Sequence, residues 1–62
     1  GSVRWHRGQI LKALFFFFRT KEQLWYFLDA KHRDHKKFET AIEQYLKEGF
    51  VRQDDDILLA VE

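Results

Sequence analysis

The strongest functional signal in the sequence is one short segment of charged side chains, residues 31–37, whose sequence is KHRDHKK. The segment holds four permanent cations, two histidines and one acid. Lysine and arginine attract phosphate oxygens, and Arg33 can grip a phosphate with two parallel donors, whereas a lysine acts as a point charge. If a helix begins here, its unpaired N–H groups and positive dipole end add to the attraction. The segment therefore predicts contacts with phosphates, and the alternative is a turn that meets only solvent.

The histidines, His6, His32 and His35, are the candidates for metal ligands, but the rest of a metal site is missing. The chain has no cysteine, and a helix is expected to begin between His32 and His35, so exposed titrating histidines are expected instead of a tetrahedral zinc site. Ser2 is the only serine, and neither a glycine-rich phosphate loop nor an HExxH motif is present. The acidic run at residues 54–56 lacks the spacing of a calcium loop. We therefore expect no catalysis, metal, cofactor or small-molecule substrate.

The helix that would present the basic segment is predicted within residues 34–51, DHKKFETAIEQYLKEGFV. Helical spacing places its apolar side chains on one face, namely Phe38, Ala41, Ile42, Tyr45 and Leu46. The opposite face carries Lys36, Thr40, Glu43 and Lys47. Asp34 can cap the start of this helix. Gly49 stands where a left-handed residue commonly ends a helix, so we expect the last helical residue near Glu48.

A first helix is predicted from residue 3 to about residue 16, because four apolar residues share one stripe at helical spacing. These residues are Leu11, Leu14, Phe15 and Phe18. Trp5 and Phe16 project to the opposite side, which favours an early end of the helix within the run of phenylalanines. Residues 17–19 are then expected to be extended, because aromatic residues favour β-structure.

A second helix is predicted at residues 21–30, because Thr20 and Gln23 have the spacing of a capping box. Its inner face would consist of Leu24, Phe27 and Leu28, with Trp25 and Tyr26 on the flanks. A tight polar turn at residues 31–34 would lead into the third helix, as two helices packed at a steep angle require.

Residues 50–53 and 57–61 are predicted to form a β-hairpin with an aspartate-rich tip at residues 54–56. Two strands alone are marginal, so the hairpin should lean on the helices and could accept residues 17–19 as a third strand. The predicted fold class is thus α+β, mainly α, with three helices and a C-terminal β-hairpin.

Length and composition predict one small domain whose partners are set by local charge. The chain has 62 residues, a net charge of +1, 45% hydrophobic and 18% aromatic residues. It should form one globular domain at residues 3–62, stable by a few kcal/mol. Residues 1–2 resemble a cloning scar, and the absence of methionine suggests a domain cut from a longer chain. The longest apolar run, residues 13–18, is far below the ~20 residues that cross a bilayer, so we expect a soluble, intracellular protein without membrane contact.

The order of helix, short strand, capped helix, tight turn, helix, glycine and hairpin resembles the winged helix-turn-helix family. The segment FETAIEQYLKEGFV, residues 38–51, is similar to that family's recognition helix running through a glycine into the first wing strand. The segment TKEQL, residues 20–24, is similar to the start of the first helix of the pair. The likeness covers about residues 9–61. It implies that the third helix enters a major groove and that the wing touches the backbone or minor groove.

The resulting prediction is a domain that binds duplex DNA within a larger protein of transcription regulation or DNA replication. The predicted contact residues are Lys31, Arg33, His35, Lys36, Lys37, Thr40, Gln44 and Lys47. Gln44 could pair with the major-groove edge of adenine. RNA remains open as the nucleic acid.

Several acidic residues oppose simple DNA binding and keep a second interpretation open. Glu39 and Glu43 repel phosphates, and the wing tip at residues 54–56 carries aspartates where the family usually has lysine or arginine. The alternative is a protein-interaction or dimerisation module of winged-helix type. It would use the acidic tip or exposed aromatic residues, for which Trp5, Phe16, Trp25 and Tyr26 are the candidates, although most of these rings are expected in the core.

Overall fold

The computed structural model describes residues 2–61 and contains three helices followed by one antiparallel hairpin. The elements are α1 (Val3–Phe15), α2 (Lys21–Phe27), α3 (His35–Glu48), β1 (Val51–Asp54) and β2 (Ile57–Ala60). The predicted α+β, mainly α class is confirmed, and the layout is consistent with that of a winged helix. Gly1 of the predicted scar and Glu62 at the end of the predicted domain lie outside the described residues. No helix in the described part of the chain has the length and apolar character needed to cross a membrane.

Helix α1 begins at its N-cap Ser2, whose side chain accepts a hydrogen bond from the backbone of Trp5. Its buried residues are His6, Ile10, Ala13 and Leu14. The predicted stripe was therefore wrong in part, since Leu11 and Phe15 are 52% and 84% exposed. The buried face of α1, which packs on α3, contains His6 and lies to one side of the predicted stripe. Part of the apolar surface of α1 therefore stays exposed.

The early end of α1 is confirmed, but the segment after it is not extended throughout. Phe17 lies in the left-handed region with φ 70°. Its N–H donates to Leu14 O at 3.0 Å, and the N–H of Phe18 donates to Ala13 O at 3.1 Å. These two bonds are the paired C-terminal bonds of a Schellman motif. The predicted third strand is reduced to one bridge between Thr20 and Ile57.

Helix α2 starts with the predicted capping box, in which both bonds between Thr20 and Gln23 are present. Leu24 and Leu28 are buried and Phe27 is half-buried, so the predicted inner face is confirmed. The predicted end at residue 30 was wrong, because the helix stops at Phe27. Asp29 explains the early stop, since its side chain accepts from the backbone of Lys31 at 3.0 Å and organises a turn in place of another helical turn.

Helix α3 has the predicted bounds and the predicted inner face. Asp34 caps its start, and Gly49 caps its end with φ 83°. The buried residues are Phe38, Ala41, Ile42 and Tyr45, and Leu46 is half-buried. Glycine is favoured at this left-handed C-cap because a residue with a β-carbon would be strained there.

The hairpin is confirmed with slightly shifted strands, which pair Val51 with Ala60 and Asp54 with Ile57. Asp55 occupies the turn with φ 56°, a conformation that aspartate tolerates better than most residues. Val51 and Leu58 are 4% and 1% exposed and join the core that the three helices form. The hairpin is thus anchored by one buried side chain from each strand.

Candidate nucleic-acid interface

The face of α3 opposite the core carries the side chains that were predicted there. Lys36, Glu43 and Lys47 are exposed, and Thr40 is half-buried. The Thr40 hydroxyl donates to Lys36 O at 2.9 Å, which leaves its oxygen as an acceptor on this face. The surface therefore offers two lysines and one hydroxyl, with Glu43 as the opposing charge.

The segment at residues 31–37 is called the basic turn. It brings three more cationic side chains to the start of α3. Lys31 and Lys37 are exposed beside Lys36, and Arg33 is half-buried. The N-terminus of α3 is already engaged, because the carboxylate of Asp34 accepts from the backbone of Lys37 at 3.0 Å. This hydrogen bond holds the pKa of Asp34 below its ordinary value. A phosphate at this site would rely on lysine charge more than on the backbone N–H groups of the helix.

Arg33 lies against α2 instead of projecting into solvent. Its guanidinium stacks 4.6 Å from the ring centre of Trp25 and 5.3 Å from that of Tyr26. One terminal nitrogen donates to Trp25 O at 3.2 Å. Stacking of this kind fixes the direction of the guanidinium, and part of its donor set is used within the domain.

His35 projects into solvent, with 77% of its side chain exposed. Its ring lies 5.5 Å from that of Trp25, and its Nε2 is 4.0 Å from a carboxylate oxygen of Glu39. Glu39 also accepts from Lys21 at 3.2 Å. Glu39 is therefore paired with Lys21 of the same domain, on the α2 side of the helix.

Gln44 faces α1 and not the exposed surface of α3. Its Oε1 accepts from Arg7 at 2.9 Å. Reading adenine needs both the oxygen and the nitrogen of the amide, so this contact competes with the predicted base pairing. Thr40, another predicted contact residue, remains beside the exposed lysines.

Sequence reasoning missed Arg7, which clamps α1 to the C-terminal end of α3. Its guanidinium donates to both carboxylate oxygens of Glu48, at 2.6 and 2.9 Å, and lies 4.5 Å from the ring centre of Tyr45. The Tyr45 hydroxyl donates back to Arg7 O at 2.8 Å. The side-chain hydrogen bonds between Arg7 and Glu48 raise the pKa of Arg7 and lower the pKa of Glu48. This ion pair neutralises the negative charge of Glu48, the residue next to Lys47.

His6 was also missed, because it was expected to be exposed and is fully buried. Its Nε2 accepts from the backbone N–H of Asp34 at 2.8 Å, so its Nδ1 donates to Ser2 O at 2.7 Å. The spacing to Ile10 and Ala13 on the buried face was the signal that could have located it. His6 thus fixes the residue that caps α3 and sets the position of the basic turn.

The hairpin tip carries the densest negative charge of the described residues. Asp54, Asp55 and Asp56 are exposed at the tip, and Arg52 is exposed on β1. Among residues 2–61, no group of three or more histidine, aspartate or glutamate side chains could hold a metal ion.

No protein-family model, curated protein or solved structure matches the chain. Function is therefore inferred from the order of the elements and from these exposed groups.

Proposed function

We propose that the domain binds duplex DNA, with α3 in the major groove and the basic turn on the phosphate backbone. The observation that carries the proposal is the exposure of Lys36 and Lys47 on the side of α3 opposite the buried Phe38 and Ile42. Helix α3 has 14 residues, and the major groove of B-DNA, about 12 Å wide, admits one helix. The winged helix-turn-helix resemblance supports the same orientation.

The phosphate contacts in this proposal come from lysines. Lys31, Lys36 and Lys37 flank the N-terminal end of α3, and Lys47 lies about three turns further along it. Neutralising three or four phosphates gives a slope of about −3 to −4 for log affinity against log salt concentration. Binding of this kind depends little on sequence, because phosphates carry no direct base information.

Base contacts are assigned to the uncharged and acidic groups between the lysines. The Thr40 hydroxyl oxygen can accept a hydrogen bond from a base, since its proton is donated to Lys36 O, and Glu43 can accept from the amino group of cytosine. Gln44 contributes only after it leaves Arg7. We therefore propose modest sequence preference centred on Thr40 and Glu43.

The hairpin is assigned no contact with phosphates. Three exposed aspartates at its tip repel a polyanion, and Arg52 alone does not offset them. The proposed wing is therefore held away from the DNA backbone. As a setting we propose a larger intracellular protein of transcription regulation or DNA replication, in which this domain supplies binding and no catalysis.

The proposal is tested by reversing charge at the start of α3. Lys36→Glu together with Lys37→Glu should weaken binding to a fluorescein-labelled random-sequence duplex at least tenfold, measured by anisotropy at low salt. The matched comparison is Lys36→Glu against Lys12→Glu, because both change net charge equally and Lys12 is an exposed residue of α1. Equal losses for these two single variants would overturn the assignment of α3 as the DNA-binding face.

A further inference from the structure

Phe17 combines an unfavourable backbone conformation with an exposed side chain. It is the left-handed residue of the α1 C-cap, with φ 70°, and 78% of its surface is exposed. The same chain places Gly49 at the corresponding position of α3, with φ 83°. A bulky residue with positive φ is an outlier, and residues that violate local rules without gaining burial concentrate at functional sites. The Phe17 ring is therefore positioned for a contact outside the folded domain.

The surroundings of Phe17 form an apolar surface with a groove in it. A groove of about 330 Å³ lies next to α1, and its lining includes Leu11, Phe15, Phe17 and Leu59. Among the described residues that line it, only Arg19 is charged. The guanidinium of Arg19 lies 5.5 Å from the ring centre of Phe17. We call this surface, made of Leu11, Phe15, Phe17, Arg19 and Leu59, the aromatic surface.

The exposed area is large for a chain of this size. Phe15 and Phe17 are 84% and 78% exposed, and Phe16, at 59%, extends the apolar area toward Phe27, with ring centres 6.5 Å apart. At about 200 Å² per ring, Phe15 and Phe17 of the aromatic surface expose on the order of 320 Å², and Phe16 adds about 120 Å² outside it. The largest apolar patch on a typical monomer is about 300–600 Å² and is often functional.

We infer that the aromatic surface is the interface of a two-fold symmetric homodimer. Its features are self-complementary, because the Phe17 ring is 78% exposed and forms part of the groove wall, so the ring of each copy can pack against the groove of the other. A two-fold interface requires this relation between a feature and its complement. Exposed phenylalanine area of about 320 Å² on this surface supplies part of the apolar centre of an interface that needs about 800 Å² per partner.

Charge also fits a second copy of the chain. The net charge of +1 creates little repulsion between two copies. In the symmetric arrangement the guanidinium of Arg19 can stack on a phenylalanine ring of the partner, as it does on Phe17 within one copy. Arginine is among the residues that dominate binding energy at interfaces, and phenylalanine is enriched at their centres.

The test measures self-association in the absence of nucleic acid. Sedimentation equilibrium from about 5 µM to about 1 mM, the range of weak dimers, should show a monomer–dimer equilibrium for the unaltered chain. Phe17→Gly and Phe15→Ser should each raise the dimer dissociation constant at least tenfold. Tyr26→Ser, which removes a ring that is 68% exposed outside the aromatic surface, should leave it within twofold.

Thermal melts check that the variants are folded, and Phe17→Gly is expected to fold because glycine suits the left-handed backbone of residue 17. A chain that stays monomeric at the highest concentration would overturn the inference, as would dimers that persist in both phenylalanine variants. Binding of a monomeric chain to phosphatidylserine vesicles through Phe15 and Phe17 would also overturn it, since that result assigns the surface to a lipid. DNA affinity does not enter these measurements, so they stand apart from the proposed function.

Discussion

Phe17 is the residue at which side-chain identity and backbone geometry conflict most openly. A left-handed conformation costs an L-residue about 1–2 kcal/mol, whereas glycine adopts it without a steric penalty. Phe17→Gly should therefore raise the free energy of unfolding by about 1 kcal/mol after allowance for the greater freedom of glycine in the unfolded chain. The melting temperature should rise by about 4–8 °C, measured by circular dichroism at a concentration where the chain is monomeric.

Gly49 provides the reverse of this substitution. It has φ 83°, and a β-carbon built there meets no atom within 4 Å, so Gly49→Ala tests backbone strain without a steric clash. The free energy of unfolding should fall by about 1 kcal/mol. A melting temperature that falls in Phe17→Gly, or stays level in Gly49→Ala, would contradict the strain assigned to these two caps.

His6 is the residue whose loss should damage the basic turn most directly. His6→Ala leaves the N–H of Asp34 without its partner and opens a cavity at a site that is 0% exposed. The combined effect should be about 2–4 kcal/mol, a large part of the stability of so small a domain. Urea denaturation measures it, with His35→Ala at an exposed site as the control, expected within about 0.5 kcal/mol. A loss in His6→Ala no greater than that of the control would show that the buried bond contributes nothing.

At the scale of elements, the two ends of α3 make stability depend on acid. Asp34 at one end and Glu48 at the other have pKa values below their ordinary 3.8 and 4.5, because the backbone of Lys37 and the guanidinium of Arg7 bind their charged forms. A lowered pKa contributes stability that is present above the ordinary value and is lost as the pH falls through the folded-state value. Melting temperature should therefore be level near neutral pH and fall below about pH 4.5.

Two variants isolate these carboxylates. Asp34→Asn keeps an oxygen that can cap α3 but does not titrate, and Glu48→Gln does the same toward Arg7. Thermal melts of the double variant at several acidic pH values should show a smaller decrease than those of the unaltered chain. Identical decreases in the two proteins would assign the acid sensitivity to other groups.

The elements were predictable where local signals agreed with packing. Helix α3 carries a cap at each end and one continuous apolar face, so its bounds followed from sequence. Helix α1 has more apolar residues than one face can bury, and periodicity could not tell that Ile10 packs inward while Phe15 is 84% exposed. The stop of α2 at Phe27 depends on a side-chain turn formed by Asp29, which competes with a helix that residues 28–30 also tolerate.

The candidate site was predictable only in part. Helical spacing assigns a residue to a face of its helix, but it does not show which residues of two helices contact each other. Exposure of Lys36 and Lys47 followed from their positions relative to Phe38. The engagement of Gln44 and Glu48 by Arg7 joins residues about 40 positions apart in the chain, and no local pattern contains it. The same holds for the bond from Asp34 to His6, which spans 28 positions.

At the scale of the whole molecule, a net charge of +1 means that affinity for DNA must come from one surface. The slope of log affinity against log salt should be about −3 to −4, and Lys36→Glu with Lys37→Glu should reduce its magnitude by about 2. Anisotropy titrations at several sodium chloride concentrations measure both slopes. A slope near zero in the unaltered chain would indicate binding without phosphate contacts.

The most direct test of the central claim is a titration of the ¹⁵N-labelled domain with a random-sequence DNA duplex, followed by NMR. DNA binding through α3 predicts that amide signals of residues 31–40 and of Lys47 shift together and saturably, while those of Asp55 and Asp56 at the hairpin tip stay in place. Shifts confined to the hairpin or to residues 15–17, or no shifts at low salt, would contradict the proposed function.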